Sequence, residues 1–122
     1  MTETYADLAG LRPLAVWPGV RAWPVTGEQM TFATVELDAN AVVGEHAHPN
    51  EQIGLVLRGS LTFTIGGEVR ELKPGQTYVI PGNIPHNAVA GADGCTVVDV
   101  FSPPRADWEA LERLEVSTPA WP

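Results

Sequence analysis

The sequence predicts a single all-β domain, a small antiparallel barrel or sandwich. Three observations carry that expectation. Short apolar runs of strand length recur along most of the chain, each bounded by Gly, Pro or Asn turns. Gly66-Gly67 sits between two such runs and is the strongest hairpin signal present. No helical period appears before Ala106. At 122 residues, 44% of them apolar and 18% charged, the chain suits one modest core and leaves no room for two.

Taken in order, residues 1–19 show no clean period and hold Pro13, Pro18 and the Ala9-Gly10 break. They read as an arm over the barrel or over a partner subunit, with room for a short strand. Residues 20–106 are the expected barrel. Its first strand, 20–23, should end at Pro24. After a turn at Gly27-Glu28, residues 30–37 alternate and put Ala33, Val35 and Leu37 on one face. Asp38-Ala39-Asn40 turns the chain, and Val42-Val43 leads into a strand bearing histidine. The run 53–57 is apolar on both faces. With Gln52 pointing inward, Gly54 and Val56 do too, while Ile53, Leu55 and Leu57 face outward and need a cover from the arm or a second subunit. Residues 61–65 and 69–72 flank the hairpin, and 77–80 form a strand between Lys73-Pro74-Gly75 and Pro81-Gly82-Asn83. Residues 107–122 should be a short helix, capped by Asp107 and carrying Trp108, Leu111 and Leu114 on one side, then a tail from Ser117.

Composition excludes several functions. Seven basic against fifteen acidic residues give a formal net charge of −8. Nucleic acid and anionic membrane both require a basic patch, so neither is an expected partner. A small anionic ligand stays compatible, because a metal and one or two arginines dominate the field inside a pocket. The single cysteine, Cys95, permits no internal disulfide and reads as a core thiol. No apolar run reaches membrane-spanning length, and the N-terminus lacks a basic start followed by a hydrophobic stretch. The expected location is therefore the cytoplasm. Trp17, Trp23, Trp108 and Trp121 are scattered and read as core or interface residues, and Arg21 and Arg58 as solvated strand residues.

All three histidines fall in two places, His46-Ala47-His48 and Pro85-His86. Two residues apart on an extended chain, His46 and His48 point to the same side. Pro49-Asn50 turns the chain, Gln52 follows, and His86 can close the set across a small barrel. Three imidazoles and a side-chain oxygen make a shell for one divalent first-row ion with positions left for a ligand. Zn, Mn, Ni, Co and Fe all suit such ligands.

Here the sequence resembles the cupin superfamily, whose pattern is G-x5-H-x-H-x3 or x4-E-x6-G followed by G-x5-P-x-G-x2-H-x3-N. The first half reads Asn40, His46, His48, Gln52, Gly59, and the second Gly75, Pro81, Asn83, His86, Ala90, with every spacing kept. The resemblance spans 20–107 and implies a jelly-roll barrel with one metal inside, held by His46, His48, Gln52 and His86. Asn40 and Asn83 replace glycines, and Asn is the non-glycine residue that best tolerates positive φ. Gln52 replaces the usual glutamate, so the protein shell is neutral and the ion keeps its full charge, which favours anionic oxygens.

A second group is Asp99-Val100-Phe101-Ser102-Pro103-Pro104-Arg105. Val97, Asp99 and Phe101 share one face of the last long strand. A carboxylate there must be exposed, paired or functional, since burying it alone is costly. If that face is the interior, Asp99 stands near the metal with Phe101 as a wall, and Arg105 can reach back as a carboxylate clamp. The alternative is an Asp99–Arg105 ion pair that merely pins the strand end. The segment 80–105 resembles the KdgF-type cupins of pectin and alginate degradation, which have His, His, Gln, His ligands and an Asp-x-Phe-x3-Arg active-site segment. Carried over, the catalytic trio is Asp99, Phe101 and Arg105. The resemblance implies a non-redox metalloenzyme that opens or tautomerises 4,5-unsaturated uronate monosaccharides to linear keto sugars. An Fe- or Ni-dependent dioxygenase and a metal-bearing binding or sensor module without turnover are the alternatives. A homodimer is expected separately, because Ile53, Leu55 and Leu57 need a cover and the N-terminal arm is available for strand exchange.

Overall fold

The computed structural model describes residues 3–120. Its eight strands are β1 (Leu14–Trp17), β2 (Val20–Thr26), β3 (Thr31–Leu37), β4 (Val42–His46), β5 (Glu51–Ile65), β6 (Glu68–Leu72), β7 (Thr77–Ile80) and β8 (His86–Ser102). Short 3-10 turns cover Leu8–Gly10 and Ala106–Ala110. The all-β barrel expected from the turn spacing is what forms.

Two long strands make the barrel close. The second half of β8 pairs with β3 and with the first half of β5, which also pairs with β7. The first half of β8 pairs with β4 and with the second half of β5, which continues to β6. Register shifts between Val56 and Arg58 and between Gly59 and Leu61 mark where the chain bends from one sheet into the other. Gly59 and Gly94 meet at this corner with positive φ, and a Cβ on Gly59 would run into the Gly94 carbonyl. Asn40 and Asn83 have φ of 61° and 65°, the positions where asparagine stands for glycine.

The core is the barrel interior. Ala33, Val35 and Leu37 are buried on β3, opposite Val56, Leu61 and Phe63 of β5. The expected alternation on β5 also holds: Gln52, Gly54 and Val56 face in, Ile53 and Leu55 face out. Cys95 is buried in the core, and burial pushes its thiol up to about 12. Among the described residues no helix is long and apolar enough to cross a membrane.

Several sequence expectations need correction. β2 does not stop at Pro24 but runs on to Thr26, with Pro24 opposite Ala33. β1 covers β2 only as far as Ala22, so the missing proline N–H costs no ladder bond on that side. The arm does contain a short strand, β1, which pairs with β2. The C-terminal helix is a single 3-10 turn, and Asp107 does not cap it; its carboxylate is drawn instead to Arg105. After that turn the chain bridges back, with Arg113 beside Leu14, and crosses the outside of the sheet, where Trp23 Nε1 donates to Ser117 and Ala120 N–H donates to Glu36. Trp121, read as a core or interface residue, lies outside the described residues.

Candidate metal centre and its cavity

Three loops and strand ends converge at one end of the barrel. His46 closes β4, His48 lies in the loop beyond it, and His86 opens β8 directly opposite His46. His48 is thus not on the strand expected for it. The turn still presents it to the same place, because its carbonyl accepts from Asn83 N–H at 2.7 Å and ties the two loops together. The ligand atoms of the three imidazoles lie within 4.8 Å of one another, the group of such side chains among the described residues that could hold a metal ion.

The hydrogen bonds decide which nitrogens face inward. Each Nδ1 lies against a backbone carbonyl: His46 to Gly44 at 2.8 Å, His48 to Asn50 at 3.0 Å, His86 to Ile84 at 2.8 Å. A carbonyl only accepts, so each Nδ1 carries the proton and each Nε2 turns a lone pair into the centre. His86 Nε2 is buried with no hydrogen-bond partner. His48 Nε2 lies 3.1 Å from Gln52 Oε1, and with the His48 proton on Nδ1 two acceptors face each other with no proton between them. A cation relieves both conflicts, and backbone-oriented imidazoles are the usual support of a bound metal. The residues fit a divalent ion. Burial also lowers the proton affinity of His48 and holds His86 down at about 4, which keeps both rings neutral at physiological pH.

The same cavity, about 290 Å³, takes in Asp99, Phe101 and Arg105. Phe101 lies edge-on to His48, its ring centroid 5.8 Å away. Asp99 is buried and accepts a 2.5 Å hydrogen bond from the Tyr78 hydroxyl. Burial lifts its carboxyl to about 6, against the opposing pull of Tyr78, Gln52 and Arg105. Gly54 makes room for this pair, since a Cβ there would overlap both Tyr78 and Asp99. Away from this polar end the walls are apolar, among them Val35, Leu61, Phe63 and Val97.

The Asp99–Arg105 ion pair weighed from the sequence does not form. Arg105 binds Asp107 through Nε at 3.0 Å and Nη2 at 2.9 Å, and its guanidinium lies over Phe101 and Trp108. Asn50 fixes the approach, donating from its side-chain amide to the carbonyls of Pro103 and Pro104. Tyr78, Asp107, Trp17 and Trp108 also line the cavity and were not read from the sequence as site residues. Tyr78 arrives through strand register, opposite Gly54, and no local spacing announces it. Arg21 and Arg58 stay outside the cavity, bonded to Glu36 and Asp38 and to Thr96 respectively.

A profile of the cupin domain (Cupin_2) matches residues 33–101. The chain is 34% identical over 82 residues to the pectin degradation protein KdgF of Dickeya dadantii, covering 66% of this chain and 74% of that protein. The solved structure of KdgF from a Halomonas species superposes with a TM-score of 0.79 at 32% identity, over 87% of this chain and 98% of that one. An RmlC-like cupin from Shewanella frigidimarina has a TM-score of 0.81 at 22% identity, over 87% and 96%, a likeness of fold alone.

Proposed function

Because this chain belongs to the cupin family and lines one cavity with a three-histidine centre, Asp99, Phe101 and Arg105, we propose that it is a non-redox metalloenzyme acting on 4,5-unsaturated uronate monosaccharides. The observation that carries this reading is the buried Asp99 carboxyl, lifted to about 6 beside a cation-binding centre and an arginine. Such a group gives and takes protons near neutral pH. The similarity to two KdgF proteins supports the substrate class.

His46, His48, Gln52 and His86 would hold one divalent ion per chain. When bound, it supplies a Lewis acid at the substrate's carboxylate or hydroxyl oxygens. Arg105 pairs with the carboxylate and orients the ring, and Phe101 packs on its face and keeps water away. Asp99 takes the proton of the anomeric hydroxyl. The C1–O5 bond then breaks as C1=O forms, and the electron pair left on O5 belongs to an enolate across C4 and C5. Protonation of C4 by Asp99 gives the C5 ketone. The product is a linear isomer of the substrate, so no oxidant or reductant is needed. A second copy of this chain is the partner proposed for the outward face of β5.

The test is to incubate the protein with fresh lyase products and follow the conjugated-alkene absorbance, with and without chelator. Asp99→Asn should lose roughly 10²- to 10⁴-fold in kcat, with metal content unchanged. Full turnover by the Asn variant would make Asp99 structural and this mechanism wrong.

A further inference from the structure

The Phe101 and Trp108 rings pack against the Arg105 guanidinium from neighbouring directions, their centroids 4.7 and 4.6 Å from its carbon and 5.1 Å from each other. The arginine side chain is only 9% exposed, so little of it is open to a ligand. One edge is already taken. Nε and Nη2 donate in parallel to the two oxygens of Asp107, the bidentate geometry in which arginine takes any carboxylate. Asp107 lines the same cavity as the histidines, and its own side chain is 62% exposed.

We propose that Asp107 is a resident carboxylate that competes with anionic ligands for the Arg105 fork, and so determines which acids the cavity accepts. The proposal rests on the part of the reading above that gives Arg105 the substrate's carboxylate. Exchanging one carboxylate for another at the same fork changes little in charge or hydrogen bonding. Asp107 released from the fork swings into water, where its charge is cheap. A simple acid therefore gains little at Arg105, and only a ligand with further oxygens for the metal end displaces Asp107 readily. Binding is weakened by the fraction of molecules whose fork is open. If that fraction is about 10–30%, ligands bind about 3- to 10-fold more weakly than the open fork would allow. Asp107 is held below the usual carboxylate range by the same arginine, so the competitor stays ionised at neutral pH.

The experiment titrates the metal-loaded full chain with D-galacturonate, a saturated uronate, and with galactose as its uncharged counterpart. The parent is compared with Asp107→Asn and with Glu109→Gln, an exposed acid on the same turn. The proposal expects D107N to bind galacturonate about 3- to 10-fold tighter, with galactose unchanged and E109Q within twofold of the parent. Equal or weaker binding by D107N overturns it, the weaker case meaning that Asp107 orients Arg105 for the ligand. An equal gain in E109Q also overturns it, because the effect is then general charge. If galacturonate binds to none of the three, phenylglyoxal modification of Arg105, mapped by mass spectrometry against the exposed Arg70, decides. Faster modification in D107N supports competition for the fork, and an equal or slower rate overturns it. None of these readouts needs turnover, so failure of the uronate reaction and failure of this proposal are told apart.

Discussion

At the scale of the residue, burying the Asp99 carboxylate carries a cost that depends on pH. The carboxyl goes from an ordinary 3.8 to about 6 on burial. Between those values the folded chain holds a proton that the unfolded chain has released. Stability from this group therefore falls as pH rises through that window and stays low above it. At pH 8 the cost is about 3 kcal/mol. Asp99→Asn removes the charge and keeps an acceptor for Tyr78, but it puts an amide N–H where a carboxylate oxygen stood, so the gain should reach only about 1–2 kcal/mol. Thermal unfolding of the metal-free proteins at pH 8 should place the Asn variant above the parent, with the difference closing towards pH 4. A variant less stable at pH 8 would mean that Asp99 is retained for the fold. His46, His48, Gln52, His86 and the Asp99–Arg105 segment were legible in the sequence because each belongs to a short spacing pattern. Tyr78 and Asp107 were not. Tyr78 meets Asp99 through the pairing of both their strands with β5, and Asp107 meets Arg105 only once the last turn tightens into a 3-10 geometry.

At the scale of the element, the strands were readable from alternation and turns, while their partners were not. Which strand pairs with which depends on the bends of β5 and β8, and these follow from close approaches such as Gly59 to Gly94 that no local pattern encodes. The pairing exposes a consequence on the outer face. Val25, Phe32, Val100, Ile53 and Val79 are direct neighbours across β2, β3, β8, β5 and β7, one uncharged apolar row. Ile53 and Val79 remain 48% and 54% exposed. At about 4.8 Å per strand the row is roughly 20 Å wide, a continuous apolar strip that suits an isologous pairing of two copies. Having no charge of its own, it lets two chains of net charge −8 meet without opposing like charges at the centre. Sedimentation velocity at micromolar concentration should find a dimer for the parent and a monomer for Ile53→Glu. A monomeric parent would leave the row an ordinary surface.

At the scale of the whole molecule, the metal centre is where separate parts of the chain are joined. Its three histidines come from the end of β4, the loop after it and the start of β8, segments up to forty residues apart in sequence, and the proposed Gln52 ligand adds the start of β5. The unfolded chain cannot assemble these donors, so an ion that binds only the folded state stabilises it by mass action. At a free ion concentration 100-fold above Kd the gain is about 2.7 kcal/mol. For a domain of this size that raises the unfolding temperature by on the order of 10 °C. The protein should therefore purify with about one divalent ion per chain. Chelation should lower Tm by that margin, and restoring the ion should recover it. His48→Ala should lose both the ion and the shift, because two imidazoles and an amide hold a cation far less well than the full set. Gln52→Glu makes the complementary change. It adds a negative charge at the same oxygen position, so it should tighten the ion while weakening anionic ligands such as galacturonate. Elemental analysis and calorimetry on the parent and both variants check all of this. The centre would be disproved by a parent that takes up no ion from excess Zn, Mn, Ni or Fe and unfolds at the same temperature with and without chelator.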